Sequence, residues 1–439
     1  MTDGYPHNRR FGLVFDDRNR GHRLFLANRG ATMSNARILL CALFLALVTP
    51  ASFAIAQDAN DPLAQPRPLD QTGFPHELYG WVTPPDNPQT PAKVALGKEL
   101  FFDKRLSEDN TQMCASCHKP QKGFTDQQPT SDGIHHQFGQ RNAPTVLNAA
   151  FNVLQFWDGR EPTLEDQAKD PIINPIEMGM KNFDEVVKKV GGIPEYQVKF
   201  KAVFAEPVTI ADIQKAIAAY ERSQVSFNTP FDRFMAGDQN AISQQAKLGW
   251  SIYNGKGRCM SCHGVNGTQP MFSDNRFHNI GVSAHKSDFV PLARKALALL
   301  AHGGGAQQLD ELAIQTDMSE LGRFLVTRDP HDIGGFRTMG LRNLLVTQPY
   351  FHDGSQVTLW DVVDHYNKGG VQNPFLDGGI IPLGLTEPEI DELVAFLATL
   401  TSPEYVQAAQ VEYHKQFELS RTTRPQRDTA AAMGLAGRN

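Results

Sequence analysis

The chain has 439 residues, 41% apolar and 21% charged, the proportions of a globular protein of two or three domains with length enough for a sizeable core. Its formal charge is −6, and because residues 1–56 hold seven Arg against three Asp, the remainder stands at −10. So acidic a chain argues against a nucleic-acid partner and suits a small basic protein.

In chain order, residues 1–56 read as an N-terminal extension and a signal peptide. Met33 to Arg37 is a short positive region, Ile38 to Val48 an apolar run, and Ala54-Ile55-Ala56 a small-x-small cleavage site before Gln57. The run is too short to span a bilayer, so a buried helix is its main competitor. The polar, Arg-rich residues 1–32 place the expected start at Met33, and Cys41 leaves with the signal. An exported, periplasmic chain without a membrane span is the expectation.

Residues 57–92, rich in Pro, Asp and Gln, predict an extended surface arm. A pattern then occurs twice. "VALGKELFFD" precedes "MCASCH" (113–118), and "AKLGWSIYNG" precedes "RCMSCH" (258–263), each with Leu-Gly followed by large apolar residues at helical spacing. Each copy is followed much later by an amphipathic helix, one at 209–227 and one at 386–400, where Thr386 and Glu389 form a capping-box signature. The fold class predicted is mainly α, with two small helical units of one design over 93–235 and 236–405. An insertion at 283–330, with a helix starting near Phe289, interrupts the second unit and suggests no function. The tail, 406–439, is expected to be partly disordered, since from about residue 420 it has few large apolar side chains.

Four of the five cysteines, Cys114, Cys117, Cys259 and Cys262, lie in the repeated Cys-x-x-Cys-His motif, which leaves no long-range disulfide framework. Two thiols at this spacing can add to the vinyl groups of haem, and the adjacent His then lies under the iron. A zinc site would need two such pairs brought together, and a redox dithiol would not require the His. Two covalent c-type haems are therefore predicted, with His118 and His263 as proximal ligands. Candidates for the second axial position near the later motif are Met260, Met271, His278, Met339, His352, His365 and Tyr366. By spacing alone Tyr366 reads as packing, on the apolar face of a short helix with Leu359, Val362 and Val363.

Together with "RNAPTVLNAAFNVLQFWDGR" (141–160), "NPIEMG" (174–179) and "LRNLLVTQPYFHDGS" (341–355), these motifs resemble the bacterial di-haem cytochrome c peroxidases and their MauG-like relatives over about 95–400. The resemblance implies two cytochrome-c-like domains packed with their haem faces together. It implies a peroxidatic haem on Cys114, Cys117 and His118, and an electron-relay haem on Cys259, Cys262 and His263. Tyr366 matches the relay haem's second ligand, which is Met in classical members and Tyr in MauG-like ones, and this reverses the packing reading. Trp157, by residue type a core side chain, matches the tryptophan between the haems. Glu177, by type a solvated loop residue, matches the distal acid-base carboxylate. Gln167 and Pro171 match distal-pocket positions. Asn142, otherwise a loop cap, matches with the carbonyls of Thr347 and Pro349 an inter-haem calcium site. Classical members carry a gating His before "RNAPT"; Ile134 stands at that spacing here, with His135 and His136 next, so either the loop shifts by a residue and one of them still gates, or the iron is permanently open, which Tyr366 favours.

The resemblance thus implies a periplasmic peroxidase that reduces hydrogen peroxide to water with electrons from a small cytochrome c or cupredoxin, and a homodimer is one expected assembly. One alternative is a MauG-like enzyme that uses peroxide to oxidise aromatic residues of a protein substrate. Another is a di-haem electron carrier without catalysis.

Overall fold

The computed structural model of the protein describes residues 58–67, 79–265, 270–286, 288–301 and 305–435, so the expected signal peptide lies outside the described residues. Those residues fall in one compact unit. The architecture is mainly helical: the named strands, β1 (Phe277–His278) and β2 (Phe336–Arg337), are two residues each and pair antiparallel with Phe277 opposite Arg337.

In the first half, α1 (Pro91–Phe101) starts at Thr90, whose hydroxyl accepts from the Lys93 amide at 3.3 Å, with proline at its first position. Next come α2 (Leu164–Ile173) and α3 (Ile210–Arg222). α1 and α3 cross at Gly97, where a Cβ would lie 1.7 Å from the Ala216 carbonyl oxygen, so no side chain fits. Ile213, Ile217 and Tyr220 are the buried face of α3. Tyr220 meets Phe101 at 5.1 Å between ring centroids, and each such fully buried side chain contributes about 1.5–3 kcal/mol. The predicted helix over 209–227 stops at Arg222. Beyond it the chain is buried and irregular because Asn148 takes up both sides of the Ser226 backbone, donating to its carbonyl at 2.9 Å and accepting from its amide at 2.8 Å.

In the second half, α4 (Gln244–Asn254) leads to the Cys motif at 259–263. The insertion then supplies α5 (Phe289–Leu300) and α6 (Gly305–Gln315), which form a separate apolar cluster that includes Leu292, Ala296, Leu312 and Phe324 and takes in Ile176 from the first half. After α7 (Leu359–Asn367) comes α8 (Glu387–Ala398), which opens on the expected capping box, the Thr386 amide donating to Glu389 at 2.8 Å. α4 and α8 cross at Gly249, where a Cβ would lie 1.9 Å from the Glu392 carbonyl oxygen. The tail expected to be partly disordered begins as a helix, α9 (Val406–Leu435). It docks where Gln416 accepts from the Leu359 amide at 3.0 Å and where Tyr413 and Phe417 pack on Trp360. No helix among the described residues is long and apolar enough to cross a membrane.

Candidate functional site

Both Cys-x-x-Cys-His stretches fold as a single helical turn that ends on the histidine. The His118 amide donates to the Cys114 carbonyl at 3.0 Å and the His263 amide to the Cys259 carbonyl at 2.8 Å. Each ring is then fixed by a phenylalanine carbonyl: His118 Nδ1 lies 3.1 Å from the Phe124 oxygen, and His263 Nδ1 lies 2.9 Å from the Phe272 oxygen. A carbonyl only accepts, so Nδ1 carries the proton and Nε2 keeps a free lone pair. Phe124 and Phe272 are both fully buried with φ of 57°. Burial depresses the basicity of both histidines, which keeps them neutral and able to ligate a metal. Cys114, Cys117, Cys259 and Cys262 form no disulfide, and burial pushes the thiols of Cys117 and Cys259 up to about 12.

A cavity opens on each histidine, about 170 Å³ beside His118 and about 250 Å³ beside His263. Trp157 lines both, as do Asn142 and Arg337. The indole N–H of Trp157 donates to the Asn142 carbonyl at 2.9 Å, and its ring stands edge-on to His352 at 6.4 Å. His352 is stacked on Phe336 at 3.6 Å and bound to Glu320 at 2.9 Å. The indole between the two cavities is therefore held on several sides.

Glu177, Gln167 and Pro171 line the His118 cavity. Glu177 sits in the tight turn after α2, where the Asn174 carbonyl accepts from its amide at 3.2 Å. The buried Ile134 donates its amide to the Ile176 carbonyl at 2.9 Å and the Glu177 carbonyl at 3.1 Å, so this residue anchors the turn. Glu177 is only half-buried by surface because it faces the cavity. Loss of solvent pushes its carboxyl up to about 7, against the pull of Arg160 and with the push of Asp310. His135 and His136 turn away, His135 to Glu108 at 3.4 Å and His136 to Asp132 at 3.0 Å, and His118 is the one histidine on the described lining of that cavity.

Tyr366, in the last turn of α7, lines the His263 cavity together with Leu359, Val362 and Val363. Helical spacing thus placed Tyr366 on the right face, but that face borders the cavity. Burial pushes its phenol above the ordinary range. Met339 lines the same cavity. His365 is taken up by the Ile280 carbonyl at 2.8 Å. Asn142, Thr347 and Pro349 share the wall of this cavity with Trp157. Cys262, Asp274 and His278 form the one group of three possible metal ligands among the described residues. His278 is already held between Asp274 at 3.0 Å and Asp377 at 2.7 Å.

Comparison with known proteins agrees with this arrangement. Residues 91–240 match the model of the di-haem cytochrome c peroxidase family. Cytochrome-c peroxidase IdrP1 of Denitromonas iodatirespirans is 38% identical over 85% of this chain and 95% of its own length. The chain belongs to the di-haem cytochrome c peroxidase and MauG family. The methylamine utilization protein MauG of Methylorubrum extorquens is 36% identical over 72% of this chain and 80% of its own. A solved MauG-like protein associated with microbial copper homeostasis aligns with a TM-score of 0.61 and 32% identity, covering 74% of this chain and 93% of that one.

Family membership implies two c-type haems, and the residues present fit them. Each cavity offers two cysteines at thioether spacing and an imidazole Nε2 with its Nδ1 already engaged. Sequence reasoning missed what backs the site. Arg160 was visible in "FWDGR" but unassigned, and its partner Asp310, like Ile314 on the same cavity wall, comes from the insertion. No local pattern links residues so far apart in the chain.

Proposed function

We propose that this protein is an exported, periplasmic peroxidase that reduces hydrogen peroxide to water beside His118, with electrons entering beside His263 from a small cytochrome c or cupredoxin. The observation that carries this reading is a carboxyl, Glu177, half-buried on the His118 cavity while Trp157 borders both cavities. When bound, the haems supply the open coordination position and the one-electron steps. Glu177 takes the proton from the inner peroxide oxygen and returns it to the outer one. Two electrons and two protons complete the conversion of one peroxide to two waters. Gln167 and Pro171 shape the space around the oxidant, and Trp157 is the path for charge between the halves. With His135 held by Glu108 and His136 by Asp132 at the surface, the His118 side is open without prior reduction.

Tyr366 is read as the second ligand on the His263 side. A phenolate is a hard anionic donor that favours ferric iron, so the potential there lies below that of a thioether-ligated haem. This position favours a second reading, a MauG-like enzyme that draws electrons from aromatic residues of a protein substrate.

Asn142 Oδ1 and the carbonyls of Thr347 and Pro349 are read as calcium donors. Asn142 Nδ2 donates to the Gln128 carbonyl at 2.8 Å, which turns its amide oxygen the other way, and the Gln348 side-chain oxygen beside them is buried with no hydrogen-bond partner.

One experiment separates these readings: optical and EPR spectra of the haem-loaded protein, before and after peroxide, then with reduced cytochrome c. Fast cytochrome oxidation supports the peroxidase. A long-lived oxidised state with negligible cytochrome oxidation favours the MauG-like reading. Two six-coordinate low-spin haems inert to peroxide sink both.

A further inference from the structure

The insertion brings a charge to the back of the His118 cavity. Asp310, on α6, accepts from Arg160 Nε at 2.5 Å, while Arg160 Nη1 donates to Asp158 at 3.1 Å and the guanidinium lies 3.4 Å over the Phe156 ring. Asp158 is shared with Arg141, whose Nη1 donates to it at 2.7 Å. The side chains of Arg141, Arg160 and Asp158 are only 7%, 3% and 0% exposed, so solvent does little to screen their charges. Two arginines against Asp158 alone leave one positive charge behind the cavity. Asp310 brings the set to neutrality.

Arg160 lines the same cavity as Glu177. An uncompensated guanidinium there would draw the Glu177 carboxylate into an ion pair and end its exchange of protons with substrate.

We propose that Asp310 is a positioning residue for the peroxide reaction: it closes the Arg141–Asp158–Arg160 ion-pair set, so that Arg160 does not capture the Glu177 carboxylate. The insertion is then part of the catalytic unit. This rests on the reading of Glu177 as the proton-handling group.

The other groups around Glu177 do not supply this function. Glu221 faces the cavity from α3 and the sulfurs of Cys114 and Cys117 from the Cys turn, and none of these is cationic; the other lining cations are Arg141, held by Asp158, and Arg337 of β2, whose Nη1 donates to Asn152 at 2.9 Å. Behind Asp310 lie Asp170 and Glu161. Burial, Asp310 and Glu161 together push Asp170 up to about 7, and Lys169 stands 3.5 Å from it. On Glu177 itself, Arg160 pulls the proton affinity down and Asp310 pushes it up, so losing the Asp310 charge and freeing Arg160 act in the same direction.

The test uses the haem-loaded full chain. The rate of its reaction with hydrogen peroxide is followed by stopped flow from acidic to alkaline pH, and the carboxyl infrared band lost in Glu177→Gln is titrated in parallel. Because peroxide needs the ionised carboxylate as base, the rate of the native protein rises with pH through the Glu177 midpoint. In Asp310→Asn both midpoints are expected to fall by about one unit, and the rate above the midpoint to fall roughly tenfold, because the carboxylate captured by Arg160 no longer exchanges its proton with peroxide. A merely structural lesion slows the reaction at every pH and leaves the infrared midpoint of Glu177 where it was. Asp310→Glu restores the native profile, and Arg160→Gln moves the midpoint upward, an independent check if Asp310→Asn does not fold. A folded Asp310→Asn protein with native haem spectra and an unmoved midpoint overturns the proposal. If the acid limb survives in Glu177→Gln, the reading of Glu177 fails and this proposal with it; if that limb is lost there but unmoved in Asp310→Asn, only the Asp310 proposal falls.

Discussion

The His118 half and the His263 half share a scaffold to the level of single atoms. Each has a leading helix crossed by a late helix at a glycine that meets a main-chain carbonyl, Gly97 on Ala216 and Gly249 on Glu392. Each has one helical turn of Cys-x-x-Cys-His and a buried phenylalanine whose carbonyl fixes Nδ1. They differ in what else lines the cavity: a carboxyl, Glu177, in one and a phenol, Tyr366, in the other. The shared scaffold therefore fixes the Cys turn and its histidine, while the residues that differ come from elsewhere in the chain, Glu177 from the turn after α2 and Tyr366 from α7.

The comparison is broken most severely by Glu177→Gln. Loss of the proposed acid-base group is expected to slow the peroxide reaction about 100- to 10,000-fold in stopped-flow traces while the Tyr366-side spectrum stays native. The shared scaffold is tested by Gly97→Ala and Gly249→Ala, each forcing a Cβ onto a backbone carbonyl. Both are expected to destabilise by about 1–3 kcal/mol in thermal unfolding, and a large inequality would show that the crossings are not equivalent. Tyr366→Met is expected to raise the potential of the His263-side haem alone, read by spectroelectrochemistry, and Tyr366→Phe to change only its low-spin EPR signal; unchanged spectra remove Tyr366 as a ligand. The smallest effect is that of chelation. On the proposal that Asn142, Thr347 and Pro349 hold calcium, a chelator is expected to slow electron transfer between the halves in native protein, and Asn142→Ala to abolish that sensitivity.

Much of this was legible in the sequence because the determinants are local. The Cys motifs, the Leu-Gly helices, the Thr386–Glu389 box and the amphipathic face of α3 all lie within a few residues of one another and obey helical spacing. Tyr366 shows the limit of that reasoning, since spacing gives the face of a helix and does not tell packed protein from a cavity. α9 was underread because its polar composition conceals three anchoring side chains, Tyr413, Gln416 and Phe417. The partners of Arg160 and His352 were illegible, since Asp310 and Glu320 arrive from an insertion with no motif of its own.

The closing helices also set an order of assembly. Ile217 and Glu221 of α3 form part of one cavity wall, and Leu393 and Leu397 of α8 part of the other. Each wall is supplied by a late helix of its half, far along the chain from the Cys turn it covers. Until that helix docks, each Cys turn lies on an unfinished, accessible surface, which gives a cofactor-attaching enzyme an interval in which to work before the glycine crossings shut the pocket.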